Sequence, residues 1–122
     1  MSSTKTQLTS RSVHAELMNA YRDLLEKIKK DLPNVDPEPV INLLRYQTNY
    51  PENIPWIRLE ITYKPSTEPK AKKDKLIEKT GRCAEIRHGN VLVIDHSMTL
   101  KDLEEIARDD DVEYIVADVP PC

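Results

Sequence analysis

Aromatic and basic side chains are concentrated in one segment of this chain. Residues 45–65, RYQTNYPENIPWIRLEITYKP, hold four of the aromatic residues in a protein that has one Trp, five Tyr and no Phe. Aromatic rings stack on nucleic acid bases, and basic side chains neutralise the phosphate that accompanies each base. The segment therefore indicates either a surface on which planar groups of a ligand stack or a corner of the packed core.

The distribution of charge points to the same part of the chain. Residues 1–44 carry six basic and six acidic side chains, residues 45–87 carry ten and six, and residues 88–122 carry two and nine. A net charge of −3 for the whole chain argues against an indiscriminate coat for duplex DNA. The candidate contacts to a single-stranded nucleic acid therefore lie in the basic third, and they are Tyr50, Trp56, Arg58, Lys64, Lys70, Lys72, Lys73, Arg82 and Arg87.

These residues also have a structural explanation. Trp56 follows Pro55 and could close the core where a strand begins, because large aromatic side chains are mostly buried in proteins. Tyr46 lies at the end of a predicted helix and Tyr63 on the apolar face of a predicted strand, so we assign the first to the core edge and the second to the core. The lysine run could be a solvated loop. Tyr50 and Trp56 are left as the candidate stacking pair, and the hypothesis depends on the exposure of Trp56.

The chain offers little for catalysis. Asp95, His96 and Ser97 resemble fragments of a nucleophilic triad, but adjacent residues of a strand point to opposite faces, so Asp95 could not readily orient His96. A small hydrolase that uses Asp95 and His96 is a third hypothesis. We assign no catalytic residue and do not expect an enzyme.

Metal and cofactor sites are not expected either. The acidic run Asp109, Asp110 and Asp111 lacks the glycine and the ligand spacing of a calcium loop. His14 and His88 have no partners at metal-ligand spacing, and two cysteines are too few for a disulfide framework or a zinc site. With only two glycines in the chain, phosphate-binding loops of the P-loop or dinucleotide type are excluded. The sequence predicts no cofactor and no metal.

Two helices are predicted between the N-terminus and Pro51. Residues 1–11 are expected to form a flexible polar tail. An apolar stripe with helical period then starts at Val13 and ends at Leu32, so the first helix begins near Ser12 and is stopped by the proline that follows. The second helix is predicted to start with Asp36 as its N-cap.

The first predicted strand sets up the candidate site. Residues 56–63, WIRLEITY, alternate as a half-buried strand does, so Trp56 shares one face with Arg58 while the apolar residues take the other. Residues 64–81 are rich in Lys and Pro and predict a mobile basic loop that ends in a short helical turn. This loop would lie beside the face that carries Trp56.

Three further strands and one helix complete the chain. Residues 82–87 and 91–95 predict a hairpin with a tight turn at Gly89. Thr99 resembles the N-cap of a capping box that opens a helix, and residues 112–118 predict the last strand. Strands with two-sided patterns and helices with one apolar stripe predict an α+β fold, in which a four-stranded, mainly antiparallel sheet carries helices on one face and leaves the other open.

The order of these elements resembles the ThermoDBP family of archaeal single-stranded DNA-binding proteins and its related proteins. The resemblance covers residues 12–118 and rests on the long first helix, the strand PWIRLEITYKP, the basic loop, the hairpin GRCAEIRHGNVLVID and the closing helix and strand. Members of that family bind single strands in a cleft with an apolar floor and basic flanks. The resemblance implies that role for Tyr50, Trp56, Arg58, Arg82 and Arg87.

The resemblance also bears on oligomerisation. Some members of the family end in a leucine zipper that pairs subunits, whereas this sequence ends in VPPC. A homo-oligomer would then have to form by another route, and the helix from Val13 to Leu32 is the candidate.

The sequence as a whole predicts a non-enzymatic protein that binds single-stranded DNA, or RNA, with little sequence preference. The alternative is a protein-interaction or regulatory adaptor whose open face docks a partner. No apolar run approaches the roughly 20 residues of a membrane helix, and the N-terminus lacks the apolar core of a signal peptide, so we expect a cytoplasmic protein without membrane contact. Residues 12–122 are expected to form one domain, and high charge and nine prolines are compatible with a heat-adapted source.

Overall fold

Four helices and four strands make up the part of the chain that the structure covers. The computed structural model describes the backbone of residues 2–119 and the side chains of residues 12–119. In chain order the elements are α1 (Ser2–Asp31), α2 (Pro37–Asn49), β1 (Trp56–Tyr63), α3 (Pro69–Thr80), β2 (Ala84–His88), β3 (Val91–Ser97), α4 (Leu100–Ala107) and β4 (Val112–Asp118). Within residues 2–119, no helix combines the length and the apolar character that crossing a membrane requires.

The four strands form one antiparallel sheet in the order β2-β3-β1-β4. From β1 onward the chain runs strand, helix, strand, strand, helix, strand, which is the connectivity of the split βαβ, or ferredoxin-like, arrangement. The predicted α+β fold with a four-stranded antiparallel sheet is confirmed. Because β1 and β3 are the central strands, their side chains occupy the middle of both faces.

Alternation along β1 separates the two faces of the sheet. Ile57, Leu59, Ile61 and Tyr63 are buried beneath the helices, whereas Trp56 belongs to the opposite, open face. The core between sheet and helices is completed by Ile28, Leu32, Val35, Val40, Leu43, Ala84, Leu92, Ile94, Met98, Leu103, Ile106, Ala107, Val112 and Ile115.

Local capping fixes the start of two helices. The Asp36 carboxylate accepts a hydrogen bond from the Glu38 N–H at 3.2 Å, and Pro37 occupies the first helical position, where a missing N–H costs nothing. At α4, the Thr99 N–H donates to the Asp102 carboxylate at 2.9 Å and the Asp102 N–H donates to the Thr99 hydroxyl at 3.3 Å. Both predicted caps are confirmed.

The prediction that residues 64–81 form a basic loop is wrong, because most of these residues belong to helix α3. Pro69 opens the helix, and Gly81 ends it with a left-handed backbone (φ 71°) whose N–H donates to the Ile77 carbonyl. The helix has no fully buried residue, so it lacks the apolar stripe by which helices are recognised. The hairpin strands are also displaced from their predicted bounds, and β3 continues to Ser97 because that residue pairs with the first residue of β1.

Helix α1 enters the core only with its C-terminal part. Ile28 and Leu32 at its end are buried, whereas all side chains of residues 12–23 are exposed. The helix begins at Ser2 rather than near Ser12, because the polar start of the chain contains no Pro or Gly that would end a helix. The flexibility expected of residues 1–11 stays a prediction.

Candidate nucleic-acid interface

The Trp56 side chain is exposed at one end of the open face. It is the first residue of β1, it pairs in register with Ser97 at the end of β3, and 60% of it is exposed. The preceding Pro55 is buried, and its carbonyl accepts a hydrogen bond from the Met98 N–H at 3.0 Å, which fixes where the strand begins. Pro55 therefore closes the core at this strand entry, and Trp56 does not.

Two consecutive side chains of β3 hold the Trp56 ring in place. The indole N–H donates a hydrogen bond to the Asp95 carboxylate. The His96 imidazole stacks on the indole with a centroid separation of 5.3 Å and an interplanar angle of 18°. Because one ring face is covered by His96 and most of the side chain is exposed, the second ring face is open to solvent. The indole is therefore oriented in advance for stacking by a flat group.

The arginines of the open face are surrounded by carboxylates. Arg58 is aligned with Asp95 on one side and Asp118 on the other, and its Nη1 atom lies 3.7 Å from an Asp95 oxygen. Two residues further along β1, Glu60 forms an ion pair with Arg87. Neither arginine is an unpaired charge, so a phosphate would have to compete with these carboxylates for both.

A shallow depression adjoins the indole on the open face. It has a volume of about 430 Å³ and lies between β1, β2 and β3. Pockets that hold small molecules commonly fall in this range of size. Asp95, which accepts the hydrogen bond from the Trp56 N–H, is part of its wall. Among the described residues, the depression is lined by Arg58, Cys83, Glu85, Arg87, Val93 and Asp95.

Two exposed side chains of β4 extend this surface and were not predicted. Tyr114 pairs with Thr62 and Val116 pairs with Glu60, so both lie on the open face, where they are 49% and 52% exposed. Six residue steps along β1, from 56 to 62, place Tyr114 roughly 20 Å from Trp56 in the strand direction. The alternation within VEYIVAD could have identified both residues, because it sets them opposite the buried residue between them.

The predicted lysine contacts lie on the helix side of the sheet instead. Lys70, Lys72 and Lys73 belong to α3, and the Lys72 amino group is 2.8 Å from both the Asp109 and the Asp111 carboxylate. The same amino group lies 5.9 Å from the centre of the Tyr63 ring, which is on the buried face. These lysines therefore do not share a surface with Trp56.

Three other residues predicted to contact nucleic acid lie in places other than the surroundings of Trp56. The Arg82 guanidinium bonds to Asp102 at 3.2 Å and to the Ser97 carbonyl at 3.1 Å, which places it at the start of α4. Lys64 follows the buried end of β1. Tyr50 is exposed at the end of α2, and its ring packs against Tyr46 at 5.1 Å. Of the nine predicted residues, the structure brings Trp56, Arg58 and Arg87 together on the open face.

Three groups on the helix side have shifted pKa values. Hydrogen bonds to Asp109 and Asp111 raise the pKa of Lys72 to about 12. Burial favours a higher pKa for Asp109, but the hydrogen bonds from Lys72 and from the Asp111 N–H, with the nearby lysine charges, hold that pKa below its usual value. Burial, with a contribution from the Asp109 charge, raises the pKa of Tyr63 to about 12. Lys72, Asp109 and Asp111 form a charged cluster that joins α3 to the segment after α4.

The fragments of a nucleophilic triad do not assemble into one. Asp95 is engaged by Trp56 and Arg58, and the His96 Nδ1 atom lies 3.2 Å from both the hydroxyl and the carbonyl oxygen of Ser97. The carboxylate that would orient the imidazole is thus committed elsewhere. Among the residues with described side chains, no three His, Cys, Asp or Glu residues are grouped so that they could hold a metal ion.

Comparisons of the chain with protein-family models, with curated proteins and with solved structures gave no match. A fold of this kind carries many different activities. The function therefore has to be inferred from the chemistry of the surfaces described above.

Proposed function

We propose that this protein binds single-stranded DNA or RNA on the open face of its sheet, with little sequence preference. The observation that carries the proposal is the Trp56 indole, which is 60% exposed, held by Asp95 and covered by His96 on one ring face only. Every base offers a flat face to such a ring, and each stacked base contributes about 1–3 kcal/mol. Tyr114 and the depression beside Trp56 offer further contacts along the same face.

Electrostatic attraction has a smaller part in this proposal than the sequence indicated. The two arginines of the open face are ion-paired, and the α3 lysines lie across the sheet. Each phosphate that is neutralised on a single strand contributes a slope of about −0.7 to the dependence of log affinity on log salt. With Arg58 and Arg87 as the contacts, we expect a total slope no steeper than about −1.4.

Fluorescence anisotropy of labelled oligonucleotides tests the proposal. Single-stranded DNA and RNA are expected to bind, and a duplex of the same length is expected to bind much more weakly because its bases are already stacked. Each substrate is measured at low and at physiological salt. Equal affinity for duplex and single strand, or no binding at either salt, would contradict the proposal.

A pair of variants shows on which side of the sheet the strand binds in this assay. Arg58→Gln removes the positive charge beside Trp56, and Lys75→Gln removes an exposed positive charge of α3 on the helix side. We expect the first substitution to weaken binding and to flatten the salt dependence, and the second to change neither. If the α3 substitution has the larger effect, the strand binds on the helix side and the open-face assignment is wrong.

A protein-interaction adaptor is the second candidate, and the charge of the open face favours it. Two arginines share this face with four carboxylates, namely Glu60, Glu85, Asp95 and Asp118. An acidic face with exposed apolar side chains suits a basic protein surface. The double substitution Glu85→Gln with Asp118→Asn distinguishes the candidates, because it should strengthen oligonucleotide binding but weaken the docking of a basic protein.

Pairing of two copies through α1 also belongs to this proposal. Val13, Leu17 and Tyr21 recur every four residues on the exposed part of the helix, and Leu17 is 65% exposed. An apolar stripe of this kind is the pattern by which helices pair. We expect Leu17→Glu to convert a dimer to a monomer in light scattering, whereas Glu16→Gln should leave the dimer intact. A wild-type protein that stays monomeric at high concentration would remove this part of the proposal.

A further inference from the structure

A groove on the helix side of the sheet separates α3 from α4. Its volume is about 420 Å³, within the range of pockets that hold small molecules. The groove lies across the sheet from Trp56 and shares no lining residue with the depression on the open face. Its floor consists of apolar and aromatic side chains, namely Tyr63, Leu76, Ile94, Met98 and Ile106.

The α3 wall of the groove is cationic. Lys72, Lys75 and Lys79 all line it, because residues three, four and seven apart share one face of a helix. A surface helix normally turns its lysines toward open solvent. Lys72 is held by Asp109 and Asp111, whereas Lys75 and Lys79 form no ion pair with any side chain of residues 12–119.

The opposite wall, at α4 and the turn after it, carries four carboxylates and one arginine, Arg108, which forms an ion pair with Glu104. Asp102 is engaged by Arg82, and Asp109 is engaged by Lys72. Glu105 and Asp110 line the same wall and form no ion pair within residues 12–119. After the internal ion pairs are assigned, two ammonium groups remain on one wall, from Lys75 and Lys79, and two carboxylates remain on the other.

The groove also offers a hydroxyl group to a ligand. The Tyr63 side chain is 1% exposed and lines the groove, and within residues 12–119 its hydroxyl makes no hydrogen bond. Burial and nearby charges, rather than a hydrogen bond, are the causes of its raised pKa. The hydroxyl thus provides an unused donor next to the charged walls.

We propose that this groove binds a small zwitterion with an apolar body, of the class of the apolar α-amino acids. The apolar body lies on the floor, the carboxylate faces Lys75 and Lys79, and the ammonium group faces Glu105 and Asp110. The Tyr63 hydroxyl donates a hydrogen bond to an oxygen of the ligand. A simple anion would be repelled by the acidic wall and a simple cation by the lysines, so the paired walls select a ligand that carries both charges.

Calorimetric titration with matched ligands tests the assignment. L-Phenylalanine carries both charges, N-acetyl-L-phenylalanine only the negative one and L-phenylalanine amide only the positive one. We expect L-phenylalanine to bind and each single-charge analogue to bind at least about tenfold more weakly, because a charge-assisted hydrogen bond is lost. L-Leucine tests whether the floor accepts an aliphatic body.

Two outcomes would overturn the proposal. If neither L-phenylalanine nor L-leucine binds at millimolar concentration, the groove is not a site for this class of ligand. If an analogue with one charge binds as tightly as the zwitterion, the opposed walls do not select the ligand. Oligonucleotide affinity is measured on the same samples, and it should not change with the amino acid, since the two surfaces are separate.

Substitutions locate the bound ligand in the groove. Tyr63→Phe keeps the buried ring and removes only the hydroxyl, and we expect it to weaken ligand binding about three- to tenfold. Lys75→Gln combined with Lys79→Gln should weaken it by at least about tenfold. The control is Lys29→Gln combined with Lys30→Gln on the exposed surface of α1, which changes net charge equally. Equal losses in the two double variants would show that the α3 lysines do not contact the ligand.

Discussion

Trp56 and Asp95 are joined by a hydrogen bond from the indole N–H to the carboxylate, across the pairing of β1 with β3. The bond fixes the orientation of the only Trp in the chain and leaves one of its ring faces open. The same carboxylate lies beside Arg58, so it both positions the stacking ring and competes with a phosphate for the nearest guanidinium. Asp95 therefore links ring orientation to charge at the proposed interface.

Asp95→Asn separates these two roles. The amide keeps an oxygen that can accept from the indole N–H, but it removes the negative charge beside Arg58. We expect oligonucleotide affinity to rise by up to about fivefold, equivalent to about 1 kcal/mol, with a steeper salt dependence. Asp95→Leu is the control, because it removes the charge and the acceptor together and should not give the full gain. Anisotropy titration measures both, and a loss of affinity in Asp95→Asn would contradict the assignment.

Tyr114 tests whether the interface extends across the sheet to β4. Tyr114→Ala is expected to reduce oligonucleotide affinity by about 1 kcal/mol or more, since it removes one stacking ring. Tyr114→Phe keeps the ring and should bind as the wild type does. The comparison is made with oligonucleotides long enough to span the roughly 20 Å between the two rings. Equal affinities for the alanine and phenylalanine variants would confine the interface to the surroundings of Trp56.

The stability of α4 depends on its capping box. Thr99→Ala removes the side-chain oxygen that accepts from the Asp102 N–H, and we expect it to lower the free energy of unfolding by about 1 kcal/mol. Thr48→Ala is a matched control, because the Thr48 hydroxyl lies on the exposed end of α2 and its one hydrogen bond within residues 12–119 is to the Leu44 carbonyl. Thr48→Ala should change the free energy of unfolding by less than about 0.5 kcal/mol. Urea denaturation measures both variants, and equal losses would argue against the cap.

Stability is expected to decline at alkaline pH through Tyr63 and Lys72. Both pKa values are raised, from 10.0 and 10.5 respectively to about 12, so each proton is held more tightly in the folded state. Their contribution is therefore full below about pH 10 and is lost as the pH rises through about 12. Tyr63→Phe has no hydroxyl to ionise and should show a shallower decline. Urea midpoints between pH 9 and 12 measure this, and an unchanged decline would contradict the assignment to Tyr63.

Most elements of the fold follow from signals that are local in the sequence. The bounds of β1 and β4 coincide with the predicted ones, and in β1 a two-residue alternation of apolar and polar side chains marks the strand directly. The N-cap of α2 and the capping box of α4 were predicted because the residues involved lie within three positions of one another.

Helix α3 was not predicted, because the residues that it contacts are distant in the sequence. Its groove-facing residues are mainly lysines, and Lys72 is held by Asp109, which lies 37 residues away. A local pattern of Lys and Pro contains no sign of that contact and is typical of a loop. Because Lys72 contacts Asp109, α3 and its predicted lysines lie on the helix side of the sheet, away from Trp56.

The candidate site was predicted only in part for the same reason. Alternation placed Trp56 and Arg58 on one face, but the exposure of the indole depends on β3, which supplies Asp95 from 39 residues away. The ion pair between Arg87 and Glu60 likewise follows from strand pairing rather than from neighbouring residues. Sequence clustering of basic side chains therefore overstated the positive charge of the surface that carries the ring.

The fluorescence of Trp56 during titration with oligo-dT tests the central claim most directly, because this is the only Trp and every change reports on its ring. We predict saturable quenching at low salt that persists at physiological salt, since stacking provides most of the affinity. Trp56→Phe serves as the binding control in anisotropy, and it should retain part of the affinity that Trp56→Ala loses. An unchanged emission spectrum at saturating oligo-dT, or full affinity in Trp56→Ala, would contradict the account.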